Sequence, residues 1–271
     1  SNVGTVDVWN LHTGELRTTL QYNSIERYGY SDRSSIFAIS PDGNTVVSGT
    51  RDGTIHVWDI STREQRSILH KTFGEVKSVA ISPDGQILVS GSSDGIIKVW
   101  NLHTGELIST IEGDCDGWGQ SLTISPDGQT LVSGHRGSTI KVWNLHTGEL
   151  ISTILEYDYL LESLTISPNG QILVSSSDKG IIKVWNLHAG RRRSVLKGHS
   201  KEVVAFSFSP DGETLVSGSN DGTIKVWNLH ARELISTLEG HSDGVKSVAL
   251  SPDGRTIASS SSYEIKIWGV L

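Results

Sequence analysis

The stretch that decides the fold runs His199-Ser-Lys-Glu-Val-Val-Ala-Phe-Ser-Phe-Ser-Pro-Asp-Gly-Glu-Thr-Leu-Val-Ser-Gly-Ser-Asn-Asp-Gly-Thr-Ile-Lys-Val-Trp-Asn-Leu-His-Ala-Arg-Glu-Leu-Ile-Ser-Thr-Leu-Glu-Gly240. Four short runs within it, 203–209, 214–218, 223–227 and 233–238, alternate in polarity or carry β-branched residues. Pro210-Asp211-Gly212, Asn220-Asp221-Gly222 and residues 228–232 cut them apart. Period-2 patterning between Gly, Asp, Pro and Asn punctuation predicts four antiparallel strands, a to d. Successive side chains of a strand face opposite ways. Ile224 and Val226 therefore face one side and Trp227 the other, so both faces of the sheet are partly apolar. Such a sheet cannot cover itself and must lie between copies of its own kind.

The copies are present. Tryptophans recur at Trp9, Trp58, Trp100, Trp143, Trp185, Trp227 and Trp268, at spacings of 49, 42, 43, 42, 42 and 41. Ser-Pro-Asp-Gly recurs at 40–43, 82–85, 125–128, 209–212 and 251–254, with Ser-Pro-Asn-Gly at 167–170, and these turns use all 6 prolines. A period of about 40–45 residues with four strands per unit is the mark of a β-propeller. With Gly198-His199, Gly240-His241, the Ser-x-Asp-Gly turns and the Val-Trp-Asn ends of strand c, the chain resembles a WD40-repeat protein along essentially its whole length. The near-identity of the repeats is similar to that of bacterial WD40 domains.

The repeats make residues 1–271 a single domain. Residues 1–20 form a partial blade of strands c and d (5–9 and 15–20), five full blades occupy 35–238, and 245–268 supply strands a, b and c. That is an expectation of 25 strands. A stretch d–a–b ahead of Ser1 would complete seven blades of four, which is the favoured reading. The alternative is a six-bladed closure in which residues 15–20 complete the last sheet. The absence of methionine suggests a piece of a longer chain.

Composition narrows the function classes. A net charge of −7 argues against nucleic acid as the main partner, and Arg191-Arg192-Arg193 reads as a solvated strand edge. A lone cysteine, Cys115, excludes an internal disulfide and suggests a reducing, cytoplasmic setting. No apolar run is long enough for a membrane span.

In the family which the chain resembles, an Asp in the b–c turn, a His in the d–a loop, a Ser or Thr on strand b and the Trp of strand c share one hydrogen-bond network. The resemblance implies this tetrad for His199, Ser217, Asp221 and Trp227. The last unit offers His241, Ser259 and Trp268 without an Asp. Elsewhere the histidine position holds Thr72, Asp114 or Tyr157. The assignment to packing displaces a reading of His199, Ser217 and Asp221 as catalytic. His12, His103, His146, His188 and His230 are copies of one turn, one per blade, too dispersed to converge on a metal ion. No metal, cofactor or enzymatic motif is expected.

The a–b and c–d turns hardly vary, and the resemblance places both at one end of the blades. The d–a loops and b–c turns, at the other end, diverge. They carry all 6 tyrosines (Tyr22, Tyr28, Tyr30, Tyr157, Tyr159 and Tyr263), Phe73, Trp118, Arg27, Arg33, Arg51 and Arg136. His135 and Lys179 lie in the b–c turns too. Aromatic residues and Arg are the side chains enriched at protein–protein hot spots. The expected partner-binding set is Tyr28, Arg51, Phe73, Trp118, His135, Arg136, Tyr157, Tyr159, Lys179 and Tyr263. The function that follows is a non-enzymatic scaffold or sensor binding a protein or peptide, with no nucleic acid or membrane. A propeller that stacks a small molecule or glycan on Trp118 and the tyrosines is the alternative. Self-association through an unpaired blade edge is a further expectation.

Overall fold

The computed structural model describes residues 3–9, 15–23, 36–69, 74–112, 121–135, 139–155 and 160–269. Among them it holds strands only, and all pairing is antiparallel. A two-stranded ribbon joins β1 (Val3–Trp9) to β2 (Leu16–Asn23). Four-stranded sheets follow: β3 (Ile36–Ile39), β4 (Thr45–Gly49), β5 (Ile55–Asp59), β6 (Glu64–Leu69); then β7 (Val76–Ile81), β8 (Ile87–Ser92), β9 (Ile96–Asn101), β10 (Leu107–Glu112). The next two are β11 (Ser121–Ile124), β12 (Thr130–His135), β13 (Thr139–Asn144), β14 (Leu150–Leu155) and β15 (Leu161–Ile166), β16 (Ile172–Ser177), β17 (Ile181–Asn186), β18 (Arg191–Lys197). The last four-stranded sheet is β19 (Val203–Phe208), β20 (Thr214–Ser219), β21 (Ile224–Asn228), β22 (Glu233–Leu238). A sheet of three, β23 (Ser247–Leu250), β24 (Thr256–Ser260) and β25 (Ile265–Gly269), closes the order.

Within every sheet the strands stand in chain order, the meander of a propeller blade. The 25 strands among the described residues are the number expected, and β19–β22 fall within a residue or so of the four runs read from the sequence. Among the described residues six sheets carry strands a, b and c, five of them with a strand d. The blades therefore number six and not the favoured seven, whose completion rested on strands ahead of Ser1. The six-blade alternative assigned residues 15–20 to the last sheet; the structure pairs β2 with β1 along its length.

Two compact units make up the chain, residues 1–122 and 123–271. In the first, Val47, Ile55, Val57 and Leu69 of one sheet meet Val76, Leu88, Trp100 and Leu102 of the next. Leu20 of the ribbon packs with Val46, Trp58 and Ile60. In the second unit, alternation on β20 and β21 does what the pattern predicts. Leu215 and Trp227 face back to Val174, Ile182 and Leu196, while Val216, Ile224 and Val226 face forward to Val245, Val248 and Ile257. Each such aliphatic side chain taken out of water stabilises the fold by about 1.5–3 kcal/mol.

Close approach of neighbouring sheets requires a missing side chain on strand b. A Cβ on Gly134 would sit 2.4 Å from Leu161 Cδ2, and one on Gly218 would sit 2.6 Å from Val245 Cγ1. Ser176 holds the matching place in β16, where its hydroxyl donates to the Val203 carbonyl at 2.6 Å.

The conserved-looking a–b turns are closed by their own side chains. In the copy at 209–212, the Ser209 hydroxyl accepts from Thr214 N at 2.9 Å and donates to Asp211. Asp211 in turn accepts from Glu213 N at 2.9 Å. Gly212 sits at φ +73°, which a side chain would strain. Asn169 replaces the Asp in one copy and still accepts from Ser167 at 2.7 Å. The serine hydroxyl, then the following backbone N–H, hold the Asp42, Asp127, Asp211 and Asp253 carboxyls below the ordinary range.

Candidate functional site

Among the described residues, b–c turns and adjoining d–a connections lie at the same sheet end. Val76 N donates to the Thr50 carbonyl at 3.0 Å, Ser93 N to Glu75 at 2.8 Å, and Asn220 N to Glu202 at 3.0 Å. This is the end at which the repeats differ, and its chemistry starts from the one complete tetrad.

In sheet β19–β22 the Trp227 indole N–H donates to Ser217 Oγ at 2.8 Å. Ser217 Oγ lies 2.8 Å from His199 Nε2, and His199 Nδ1 lies 3.0 Å from Asp221 Oδ2. One tautomer satisfies every member: Nδ1–H donates to the carboxylate, and Nε2 accepts the serine proton. Asp221 also accepts from Ser200 N, Thr223 N and Thr223 Oγ at 2.9, 2.9 and 2.7 Å. Partial burial opposes ionisation of Asp221, but those hydrogen bonds and His199 bring its pKa down to about 2. Burial lowers the His199 pKa, outweighing the pull of Asp221, so the imidazole stays neutral at pH 7. The His199 side chain has no exposed surface. A serine whose oxygen is shared between an indole and a shielded imidazole does not face a substrate. The structure thus brings His199, Ser217, Asp221 and Trp227 together in a packing role.

The final sheet holds a second complete network, which the sequence reading missed. His241 Nε2 meets Ser259 Oγ at 2.7 Å, Trp268 Nε1 donates to the same oxygen at 2.8 Å, and His241 Nδ1 lies 3.1 Å from Glu264 Oε1. Ser259 and Trp268 are nine residues apart, whereas Ser217 and Trp227 are ten. The turn has lost a residue, and a glutamate at the start of the strand reaches back where an aspartate in the turn would stand. The unit lacks the Asp, as expected, and Glu264 supplies the carboxylate in its stead. The usable signal was an acidic residue in a shortened turn, one methylene longer.

The remaining sheets keep only part of the network. Trp100, Trp143 and Trp185 donate to Ser90, Ser133 and Ser175, each at 2.9 Å. In the first complete sheet Ser48 Oγ and Trp58 Nε1 are buried with no hydrogen-bond partner among the described residues. There His56 replaces the usual strand-c lysine and stacks on Trp58 at 6.1 Å.

Of the partner-binding set, three members have described side chains. Arg51 is exposed and pairs with Glu75 at 3.5 Å. Lys179 is exposed beside Asp178 at 3.3 Å. Tyr263 is 88% exposed. His135 ends strand β12. Tyr28, Phe73, Trp118, Arg136, Tyr157 and Tyr159 lie outside the described residues. At the opposite sheet end His103, His146, His188 and His230 are each exposed in their own c–d turn. No cluster of metal-ligating side chains occurs among the described residues. A groove of about 700 Å³ opens between β19–β22 and β23–β25, lined by Val216, Val226, Leu238, Leu250 and Ile257. Its lining includes the a–b turns at Ser209–Asp211 and Pro252–Gly254.

Comparison with known proteins agrees with this geometry. The family model described as WD domain, G-beta repeat matches residues 25–59, 64–101, 105–144, 148–186, 190–228 and 232–269. A 56-residue segment is 39% identical to the small ribosomal subunit protein RACK1y of Oryza sativa subsp. japonica, covering 21% of this chain and 15% of that protein. The chain thus matches only a small part of that relative's length. Six matched repeats, the blade sheets and the tetrads together make this chain a member of the WD40-repeat family.

Proposed function

We propose that this protein is a non-enzymatic interaction module that captures a protein or peptide at the sheet ends carrying the d–a loops and b–c turns. The observation that carries the reading is the asymmetry between the two ends of each sheet. At one end every a–b turn repeats the same serine–aspartate (or asparagine) closure, and the c–d turns repeat an asparagine cap. At the other, the tetrad is complete only in the last two sheets among the described residues, and exposed Arg51, Lys179 and Tyr263 take the surface. Aromatic and Arg side chains in the neighbouring loops suit a protein surface better than a single stacking pocket. The His199–Ser217–Asp221 set is committed to packing, which favours a scaffold over an enzyme. A cytoplasmic, signalling setting fits the lone cysteine and acidic charge.

Trp118→Ala and Arg136→Ala test the proposal, with His103→Ala and His146→Ala as controls at the opposite end. Partner capture from the source lysate should fall by about 1–4 kcal/mol equivalent for each loop variant and stay unchanged for the controls. Circular dichroism checks the fold. Capture lost with the histidine variants and kept with the loop variants refutes the assignment of the binding end.

A further inference from the structure

β18 reverses the charge pattern of the other outer strands. Its sequence, Arg191-Arg-Arg-Ser-Val-Leu-Lys197, stands where the next sheet has Glu233-Leu-Ile-Ser-Thr-Leu-Glu239 and an earlier one has Glu106-Leu-Ile-Ser-Thr-Ile-Glu112. Arg191 faces Asn186 in the register in which Glu233 faces Asn228 and Glu64 faces Asp59. Four cations thus replace the two carboxylates of those strands, in a chain whose net charge is −7. Arg191, Arg192, Arg193 and Lys197 are all exposed, and none forms an ion pair among the described residues. The strand is firmly seated, because buried Leu196 packs with Val174, Ile182 and Val184. Its sheet has all four strands, and β18 pairs with β17 alone. The flanking sheets, which reach β15 through β12 and β19, also lie in residues 123–271. The outer edge of β18 therefore offers N–H and C=O groups from within one unit. Charge is a common way to blunt such an edge, most often with Lys. A reversed sign and three arginines go further, since the planar guanidinium matches a carboxylate with two parallel hydrogen bonds.

We infer that the outer edge of β18 takes an extended acidic segment of a partner protein as an added antiparallel strand. Like charges set opposite each other keep a second copy of β18 away. The acidic balance of the whole chain argues against nucleic acid as the occupant. Arg193 is the extra residue of a β-bulge opposite Val184 and Trp185, so regular backbone is left at 194–197. The incoming strand pairs along those residues, with an apolar side chain beside Val195, which is 36% exposed, and a carboxylate beside Lys197. Its more acidic end meets the three arginines. Main-chain hydrogen bonds supply the affinity of such an added strand, and its side chains supply the selectivity. This edge is separate from the d–a loops and b–c turns, so either reading stands if the other fails.

The probe is the fluorescein-labelled peptide Glu-Thr-Val-Thr-Glu-Asp-Glu, read by fluorescence anisotropy against the 1–271 chain. Its binding should saturate. The double variant Arg191→Glu, Arg192→Glu sets like charges together and should weaken that binding about tenfold or more. The same variant should prefer the peptide Lys-Thr-Val-Thr-Lys-Lys-Lys to the acidic one. An acidic peptide with three prolines in place of Thr-Val-Thr keeps every charge but lacks the backbone donors that a strand needs, and should bind the wild type about tenfold more weakly. Circular dichroism confirms that the variant is folded. The proposal is overturned if the acidic peptide fails to saturate, if the proline peptide binds equally well, or if the double variant keeps full affinity for the acidic peptide. Displacement of the peptide by a short single-stranded oligonucleotide at equal total charge overturns it too, in favour of a nucleic-acid site.

Discussion

Replacing Asp221 by alanine isolates what the complete tetrad contributes. The change removes the acceptor of four donors: His199 Nδ1–H, Ser200 N–H, Thr223 N–H and Thr223 Oγ–H. Ser200 is exposed and Thr223 half-buried, so water replaces the carboxylate at modest cost. The His199 side chain has no exposed surface. Its orphaned N–H bears most of the loss, about 1–3 kcal/mol for a buried group left unsatisfied. Asp221→Asn keeps a carbonyl oxygen facing the imidazole and should cost less than the alanine. Lys179→Ala is the matched control: it stands at the same turn position of another sheet, is exposed, and should change stability by no more than about 0.5 kcal/mol. Urea melts at pH 7.5 followed by tryptophan fluorescence give both numbers, and parallel far-ultraviolet melts test whether one transition describes the chain. Equal losses from Asp221→Ala and Lys179→Ala would refute the network's role. So would an Asp221→Asn variant weaker than the alanine.

Three further outcomes are expected. Glu264→Ala should destabilise in the same way as Asp221→Ala, and Glu264→Asp should recover little because it withdraws the methylene that reaches His241; full recovery in urea melts would count against the reach. Gly134→Ala and Gly218→Ala force a methyl into Leu161 and Val245 and should each cost about 1–3 kcal/mol, whereas Ser176→Gly in the matching place should cost the hydrogen bond to Val203, about 0.5–1.5 kcal/mol; tolerance of both alanines would mean the sheets have room to separate. Stability should also fall with acid in two stages: the folded His199 resists the proton that the unfolded chain takes below about pH 6.5, and Asp221 holds its charge from 3.8 down to about 2 while the unfolded chain is neutralised. Melting temperatures measured from pH 8 to pH 3 should decline below 6.5, and a curve level down to pH 5 would remove His199 from the balance.

Much of the architecture was legible because the fold is written several times. Pro and Gly mark each a–b turn, strand polarity alternates, and the tryptophans count the units. The His199 network could be read by comparing copies. Glu264 could not, since column-by-column comparison hides a carboxylate that moves along the chain and lengthens to compensate. The c–d pairing of residues 5–9 with 15–20 was read correctly, and the seven-blade count failed because it rested on a d–a–b stretch ahead of Ser1 rather than on the repeats themselves. Ser176 is legible only in three dimensions, where its hydroxyl turns an intrusion into a bond.

The repeat in the sequence and the blade in the fold are out of step. The family match at 190–228 holds β18 of one sheet followed by β19, β20 and β21 of the next. Each matched unit after the first is thus stitched to its predecessor by its first strand. A segment lost or duplicated at this boundary takes an edge from one sheet and supplies one to another. No unit can melt without baring its neighbour, which resists piecemeal unfolding. The same overlap obliges a newly copied repeat to pair with its parent from the first generation, so near-identical units are the easiest to add.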